Sequence, residues 1–474
     1  MTAPISDLNT LATTLDVQRE QWDEKNIPPP NTEIAQGELL RMIAKGPSTN
    51  EGVIVTGNIK GDGKIKIPLW TGSGGNAASN FGKAASTHVA QDFEQFVAPM
   101  QELWNFFSIE WKAMQFAANG GFVMPIPMML TGTRTAFWRS LSWMIHEDGS
   151  GSIAKTQTTP EVGTGITTST LVLQQKDLIH RIRKGDKLSL AAGPRVGGTL
   201  VTRRVGVTPG EGGILVVTGI DENRGRLTFP AAVDTIVPTA ANGDYLTLDG
   251  FYDGTSLSSP GTSGPIAGLD LWCPARTSDV NTLYGVPRGE NPSRLAGRRV
   301  NVPIAGFHEA IGNLSVELAF LPHAAGENEL SGALFFPARM NKRLMDAFAS
   351  QNITVTNAMT GATTGSDPLK MQFGISGAVA IFPSGHKLVL KSDAMMGDME
   401  LTREADATMR VVLNGNLEVV TTIAGVNWQM RDGSRILIPV DGNTTQHNAP
   451  YGAILQFITH NTAKNLVVST ETEK

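Results

Sequence analysis

Residues 243–246 read Gly-Asp-Tyr-Leu, residues 268–272 read Gly-Leu-Asp-Leu-Trp, and residues 288–297 read Arg-Gly-Glu-Asn-Pro-Ser-Arg-Leu-Ala-Gly. A Gly-Asp turn therefore leads into a short apolar strand, and a loop rich in Ser, Gly and Pro follows. A tryptophan anchor then precedes a second polar turn. This order is the most informative feature of the chain, because no pattern elsewhere points to a chemical reaction.

The composition is that of a globular chain with few charges. At 474 residues the chain exceeds what one hydrophobic core serves, so roughly two to four domains are expected. Charged residues make up 18% of the chain, against about 25% in an average soluble domain, which suits a surface covered by neighbouring subunits. The net charge of −5 lacks the basic excess of a dedicated nucleic-acid binder. A strand-rich lectin or adhesin would have the same composition.

Cys273 is the single cysteine, which excludes an internal disulfide and a metal site built from several cysteines. Its neighbours Trp272 and Pro274 favour a buried, unreactive thiol. The first residues lack the charged and apolar regions of a secretory signal, which predicts a reducing compartment. The apolar stretches are too short to span a bilayer, so no membrane contact is expected.

Residues 1–50 are predicted to form a helical arm. Its apolar side chains form one narrow stripe on a polar helix: Leu8, Leu11, Leu15 and Trp22. Such a stripe cannot build a core by itself, so the arm is expected to dock on another surface. A second helix is predicted after the prolines at 28–30, ending at Gly46.

Residues 51–100 are predicted to form a long hairpin. The run from Lys64 to Trp70 alternates lysine and isoleucine at its start, which gives one charged and one apolar face. The loop at 72–82 matches a dinucleotide-binding pattern only loosely, since no helix pattern follows it. A hairpin without a second layer is marginal in water, so it is expected to need a partner chain beneath it.

A helix is predicted over residues 133–147, ended by Asp-Gly-Ser-Gly. Its apolar residues include Trp138, Leu141 and Ile145. The sequence His-Glu-Asp at 146–148 is interpreted as a solvated helix terminus rather than a metal site. The basic run at 180–187 is interpreted as a solvated turn before a strand.

The segment from 152 to 254 is predicted to be a small β barrel or sandwich. Its strands are predicted at 167–173, 187–191, 199–207, 213–219, 226–229 and 245–248. Residues 221–225 are interpreted as a hairpin turn, because they lack the glycine and glutamate of a calcium loop. Beyond this segment, helices are predicted at 307–320 and 337–350. Strands are predicted at 378–382, 387–390, 409–413, 417–423, 436–440 and 454–460.

The order of these parts resembles that of HK97-type major capsid proteins of tailed double-stranded DNA bacteriophages. The resemblance is carried by residues 243–246 and 288–297, by Phe-Phe-Pro at 335–337, and by Tyr-Gly at 451–452. It implies an α+β fold with an N-terminal arm, an E-loop hairpin, a P-domain with a spine helix, an A-domain and an inserted all-β domain. The implied boundaries are 1–50 for the arm, 51–100 for the E-loop, 101–150 for the P-domain with spine helix, 151–255 for the insertion, 256–335 for the P-domain continuation, 336–440 for the A-domain and 441–474 for the P-domain return.

The resemblance also implies a function. The chain would be a virion subunit, assembled in the host cytoplasm into hexamers and pentamers of an icosahedral shell around the genome. Its partners would be copies of itself, portal, scaffold and decoration proteins, and packaged double-stranded DNA contacted non-specifically. No catalytic, cofactor-binding or metal-binding residue is expected. The inter-subunit contacts would involve Leu8, Leu11, Leu15, Trp22, Lys64, Lys66 and Trp70, and the structural core Trp138, Leu141, Ile145 and Trp272.

Three alternatives stay open. One is an encapsulin-like nanocompartment shell protein, against which the long insertion counts. Another is a carbohydrate-binding adhesin or tail structural protein, which the helical arm and the long helix disfavour. An enzyme is the third, but the sequence contains no G-x-S-x-G, Walker A or H-E-x-x-H motif.

Overall fold

The computed structural model describes residues 37–44, 55–56, 64–72, 79–86, 92–110, 125–157, 168–193, 204, 206, 213–249, 266–280, 282–301, 307–321, 331–341, 372–374, 377–381, 386–399, 401, 407–421, 427–428, 438–440 and 443–470. These residues fall into two compact units. The first holds those within Trp104–Arg139 and Val426–Ala453. The second holds those within Gln36–Leu103, Ser140–Gly425 and Ile454–Lys474.

The α-helices with described bounds are α1 (Glu38–Ala44), α2 (Phe81–Ser86), α3 (Pro125–Met144), α4 (Val233–Ile236), α5 (Leu269–Trp272), α6 (Pro292–Leu295) and α7 (Phe307–Ala319). Short 3-10 helices occur at Lys176–Arg181, Thr277–Asp279, Arg288–Glu290 and Thr462–Lys464. No helix within the described ranges is long and apolar enough to cross a membrane.

The helix predicted at 133–147 begins earlier and ends earlier, as α3. It can begin at Pro125 because proline is tolerated in a first helical turn, where the missing N–H has no partner to lose. α2 is a second difference, since no helix is predicted after the Gly-rich loop. Asn80 accepts a hydrogen bond from the backbone N–H of Lys83 at 2.8 Å, so a side-chain cap starts this six-residue helix.

The predicted insertion contains two small antiparallel sheets. One has the order β6 (Thr170–Val172), β10 (Arg226–Thr228), β9 (Gly219–Asp221); the other has the order β5 (Ser152–Lys155), β11 (Tyr245–Leu248), β7 (Lys187–Ala191), β8 (Leu215–Val216). The hairpin turn predicted at 221–225 is confirmed, with Arg226 opposite Asp221 and Gly225 at a φ of 61°. The 3-10 helix at Lys176–Arg181 and α4 interrupt the strands, so this part of the chain is not purely β.

A seven-stranded mixed sheet forms the main core. Its order is β12 (Arg298–Asn301), β22 (Leu466–Ser469), β17 (Thr408–Leu413), β13 (Ser331–Pro337), β16 (Lys387–Asp393), β15 (Gly377–Ile381), β14 (Gln372–Gly374). β12 and β22 are parallel, as are β13 and β16. α7, which is confirmed, buries Leu314 and Leu318 with this sheet's apolar side chains. Pro337 ends β13 instead of starting a helix, which begins at Met340.

A six-stranded sheet is centred on β21 (Asn443–Thr459), whose 17 residues extend well before the strand predicted at 454–460. β18 (Leu417–Thr421), β19 (Asn427–Trp428), β20 (Ile438–Val440) and β4 (Gln101–Glu110) pair with β21, and β1 (Val55–Thr56) pairs with β18. The predicted hairpin is confirmed as β2 (Lys64–Gly72) and β3 (Asp92–Pro99), which are antiparallel with Ile67 opposite Phe96.

Candidate functional site: a hairpin and a buried charge network

The hairpin formed by β2 and β3 has one exposed and one buried face. Lys64 and Lys66 are exposed, whereas Ile65 and Ile67 between them are buried. The buried face packs on its own chain, because the ring of Phe96 lies edge-on to that of Trp272, with centroids 5.3 Å apart. The prediction of a hairpin without a second layer is therefore wrong.

Trp272 on α5 packs on the buried face of the hairpin. It is completely buried, and its Nε1 donates to the carbonyl of Phe457 on β21 at 3.3 Å. Its ring also lies 5.6 Å from that of Tyr284, whose hydroxyl accepts a hydrogen bond from Gln456. Burial raises the pKa of Tyr284 above its ordinary range, so this hydroxyl stays protonated. The tryptophan anchor thus connects the hairpin to β21.

The glycine of the Gly-Leu-Asp-Leu-Trp motif allows α5 to follow the end of α3. The N–H of Leu269 donates to the carbonyl of Ile145 at 2.7 Å, which satisfies one of the free carbonyls at the end of α3. A Cβ on Gly268 would lie 2.2 Å from the carbonyl oxygen of Met144, so no side chain fits there. The close approach of the two backbones explains why the motif has glycine at position 268.

His146 lies just beyond α3 and is buried, so the prediction of a solvated helix terminus is wrong. Its Nε2 lies 3.2 Å from Oδ2 of Asp393, at the end of β16, and both side chains are at most 1% exposed. Burial lowers the pKa of His146, although the charge of Asp393 opposes that shift. A neutral ring donates from Nε2, and Nδ1 has no hydrogen-bond partner among the described residues.

Glu147 and Arg181 form a second buried pair, 2.5 Å apart and at most 6% exposed. Arg181 also donates to the carbonyls of Met395 and Ile153. The prediction that residues 180–187 form a solvated turn is therefore wrong at Arg181, while Lys184 is exposed. Burial raises the pKa of Glu147 to about 8, and Arg181 partly opposes this shift.

Three further arginines hold the segment that contains α5. Arg410 on β17 pairs with Asp270 at 2.5 Å and donates to the carbonyl of Cys273 at 2.7 Å. Arg288 donates to the carbonyl of Leu271 at 2.7 Å, and burial lowers its pKa to about 10. The third, Arg299, donates to the carbonyl of Pro274 at 2.7 Å. These contacts hold backbone carbonyls in place. In the sequence, only Arg288 and Arg299 of the three stand near the polar turn at 288–297.

The thiol of Cys273 is buried, and burial raises its pKa. It therefore stays protonated and is a poor nucleophile. No group of three or more His, Cys, Asp or Glu residues within the described ranges could hold a metal ion. The charged residues of this network donate to or accept from one another and the backbone, so their arrangement supports a structural role.

The predicted site residues fall into three groups. Leu8, Leu11, Leu15 and Trp22, and the side chain of Trp70, lie outside the described residues. Lys64 and Lys66 lie on the exposed face of the hairpin. Trp138, Leu141, Ile145 and Trp272 are buried, and Trp138 packs on Phe137 with ring centroids 5.5 Å apart. The contacts of His146, Arg181 and Asp393 have no signal in the sequence, because they join distant parts of the chain.

Glu147 makes the stability of the protein depend on pH in a defined direction. Its pKa is about 8 when folded against an ordinary value of 4.5, so the folded state disfavours the ionised carboxylate. The free energy of unfolding of the wild type should fall relative to that of Glu147→Gln as the pH rises from about 4.5 to about 8, and then level off. Urea unfolding of both proteins at about pH 5, 7 and 9 measures this. If the difference in the free energy of unfolding between the two proteins does not change with pH, the pKa of Glu147 is the same in the folded and unfolded states.

No protein-family model and no curated protein matches the chain. Solved structures do match it. The Cyanophage A-1(L) capsid is similar with a TM-score of 0.49 and 9% identity, over 96% of this chain and 98% of that one. The capsid of a native GTA particle has a TM-score of 0.37 and 8% identity, over 90% and 95% of the two chains. The capsid of Myoviridae Phage XM1 has a TM-score of 0.35 and 8% identity, over 95% and 100%. All three are capsid structures.

Proposed function

We propose that the chain is a bacteriophage major capsid protein, a structural subunit that assembles into hexamers and pentamers of an icosahedral shell around the genome. The observation that carries the proposal is the order of elements along the chain. A hairpin at residues 64–99 precedes the 20-residue helix α3, and two small sheets follow. The last part of the chain builds the seven-stranded mixed sheet and the long strand β21 of the six-stranded sheet. This is the order that the HK97-type resemblance implies.

Large exposed apolar side chains also support the proposal that the chain is a subunit of an assembly. Phe81 and Phe93, near the hairpin loop, are 89% and 62% exposed, and Phe320, just after α7, is 60% exposed. Aromatic residues are enriched at protein–protein interfaces relative to the rest of a protein surface. Obligate assembly interfaces bury thousands of Å² and are rich in such residues.

In this proposal the hairpin is the E-loop, α3 is the spine helix of the P-domain, and the two small sheets are the inserted domain. The A-domain spans residues 336–440. The inter-subunit contacts are made by Leu8, Leu11, Leu15, Trp22, Lys64, Lys66 and Trp70. The subunit resides in the virion, and its partners are further copies, portal, scaffold and decoration proteins and packaged double-stranded DNA. The absence of an enzymatic role belongs to the same proposal.

Assembly of the purified recombinant chain tests the proposal. We expect electron microscopy to reveal closed shells or discrete five- and six-fold rings, with matching fast-sedimenting species. A stable monomer or trimer, with or without crowding agents, would contradict the capsid function and favour the adhesin. Shells that contain host enzymes instead of DNA in phage-producing cells would favour the nanocompartment.

Charge reversal on the hairpin tests the proposed contact surface. Lys64→Glu with Lys66→Glu replaces two exposed cations on one face of β2, so the double variant should lose shells and rings while it stays folded. The matched control is Lys184→Glu with Lys187→Glu, which reverses two exposed cations of the predicted insertion. Normal shells from the hairpin variant would show that this face makes no essential contact.

A further inference from the structure

Four segments that are distant in sequence meet at the end of β16. Asp393 accepts hydrogen bonds from the N–H of Leu39 at 2.9 Å and from the N–H of Met395 at 2.8 Å. The same carboxylate lies 3.2 Å from Nε2 of His146. The carbonyl of Met395 accepts hydrogen bonds from both Nε and Nη2 of Arg181. The turn that follows β16 therefore connects the His146–Asp393 pair with the Glu147–Arg181 pair.

The carboxylate of Asp393 also contacts the start of α1. Leu39 and Leu40 are completely buried, so this short helix is docked by its apolar side. The N–H of Leu39 is one of the free donors at a helix start, and Asp393 satisfies it as a cap would. Gly37 fits only without a side chain, because a Cβ there would lie 2.7 Å from Oδ1 of Asp393.

We infer that the contact between His146 and Asp393 is an acid-sensitive clasp, which holds α1 against the end of β16 at neutral pH and releases it when the imidazole takes up a proton. The inference concerns the single chain. It does not depend on assembly or on the proposed function.

The surroundings of His146 favour the neutral ring. A second ring proton would sit on Nδ1, which is buried and has no hydrogen-bond partner among the described residues. An unsatisfied buried N–H carries a desolvation cost, and the positive charge adds to it. The charges of Arg181 and Arg410 disfavour the imidazolium, and the charge of Asp393 favours it. Opening the clasp gives the imidazolium access to water.

The direction of the pH effect follows from these groups. Burial lowers the pKa of His146 from its ordinary 6.5, so the contact is most stable above about pH 6.5 and weakens as the pH falls below it. Although burial opposes it, the pKa of Asp393 is lowered from its ordinary 3.8 by the contact with His146 and by two backbone N–H groups, so Asp393 keeps its charge over this pH range. Nearby Glu147 and Asp148 have raised pKa values of about 8 and about 6, chiefly through burial, and act in the opposite direction.

Further charged groups surround the clasp at its edges. Asp270 lies beside Arg410 on the α5 side, and Glu38 of α1 pairs with Lys391 of β16 at 3.3 Å near the surface. The titrations of these groups change the free energy of unfolding in opposite directions, so a global unfolding measurement cannot separate them. A measurement on α1 alone is needed.

Hydrogen–deuterium exchange of the full chain, read by mass spectrometry on the peptide that contains residues 37–44, provides that local measurement. After correction for the intrinsic pH dependence of exchange, the protection of this peptide in the wild type should fall about tenfold or more between about pH 7.5 and pH 5. His146→Gln keeps a donor toward Asp393 but does not titrate, so its protection should change less than about twofold. Equal loss in this variant would overturn the inference, as would unchanged protection in the wild type.

Two more variants complete the test. Asp393→Ala removes the acceptor that caps α1, so its peptide should already show low protection at about pH 7.5; full protection would refute the clasp. The matched control is His460→Gln, because His460 pairs with Glu418 at 2.8 Å but is half exposed. This control should keep the pH response of the wild type, and loss of the response there would assign it to another histidine.

Discussion

Trp272→Ala is expected to destabilise the protein by roughly 3–5 kcal/mol, the range of large-to-small core substitutions of tryptophan. The side chain is completely buried between the rings of Phe96 and Tyr284, and its Nε1 donates to the carbonyl of Phe457. Its removal leaves a cavity under the hairpin and removes the hydrogen bond to the carbonyl of Phe457 on β21. Urea unfolding monitored by circular dichroism measures the loss as a shift of the midpoint at constant slope.

The matched control is Phe320→Ala, which truncates an aromatic side chain that is 60% exposed. Surface substitutions of this kind usually change stability by no more than about 0.5 kcal/mol. A Trp272→Ala midpoint equal to that of the control would contradict the assignment of Trp272 as the covering residue of the hairpin. Protease cleavage within the hairpin should also accelerate in Trp272→Ala, because the apolar face of β2 and β3 loses its support.

Arg181→Met is expected to cost about 3–5 kcal/mol, the range for removing one partner of a buried ion pair. The guanidinium contacts Glu147 and donates to the carbonyls of Met395 and Ile153, and its side chain has no exposed surface. Methionine matches much of its length but donates no hydrogen bond, so three buried acceptors lose a partner. The free energy of unfolding in urea at about pH 9, where the carboxylate of Glu147 is ionised, is the measurement.

Lys184→Met is the control for this substitution, because Lys184 lies in the same basic run but is exposed. It should change the free energy of unfolding by about 0.5 kcal/mol or less. If both methionine variants unfold at the wild-type midpoint, Arg181 is solvated and the interpretation of residues 180–187 as a turn in water holds after all.

Much of the local structure could be predicted from the sequence. The alternation of lysine and isoleucine at the start of β2 predicted the hairpin, and the apolar spacing in α7 predicted that helix. The polar run at 221–225, which lacks the glycine and glutamate of a calcium loop, predicted a hairpin turn. Each of these signals arises within one element, since the period of the apolar residues reflects only which side of that element is buried.

Element ends were less predictable. α3 begins at Pro125, since a proline in the first turn keeps the helix intact, and α2 depends on one side-chain cap from Asn80. β13 runs through Pro337, where the sequence predicted a helix start. At these places a short local signal is compatible with two structures, and the contacts of the whole sheet or helix decide between them.

Most of the order of strands, helices and turns follows from the amino-acid sequence alone, and the resemblance behind the proposed capsid function rests on that order. What covers the hairpin and which charges are buried depend on the tertiary fold. His146 and Asp393 are 247 residues apart in the chain, and Arg181 and Met395 are 214 apart. A polar residue at a helix end gives the same sequence pattern whether its side chain lies in water or in the core. Its burial depends on partners that the fold brings from elsewhere, which no periodicity within one segment can record.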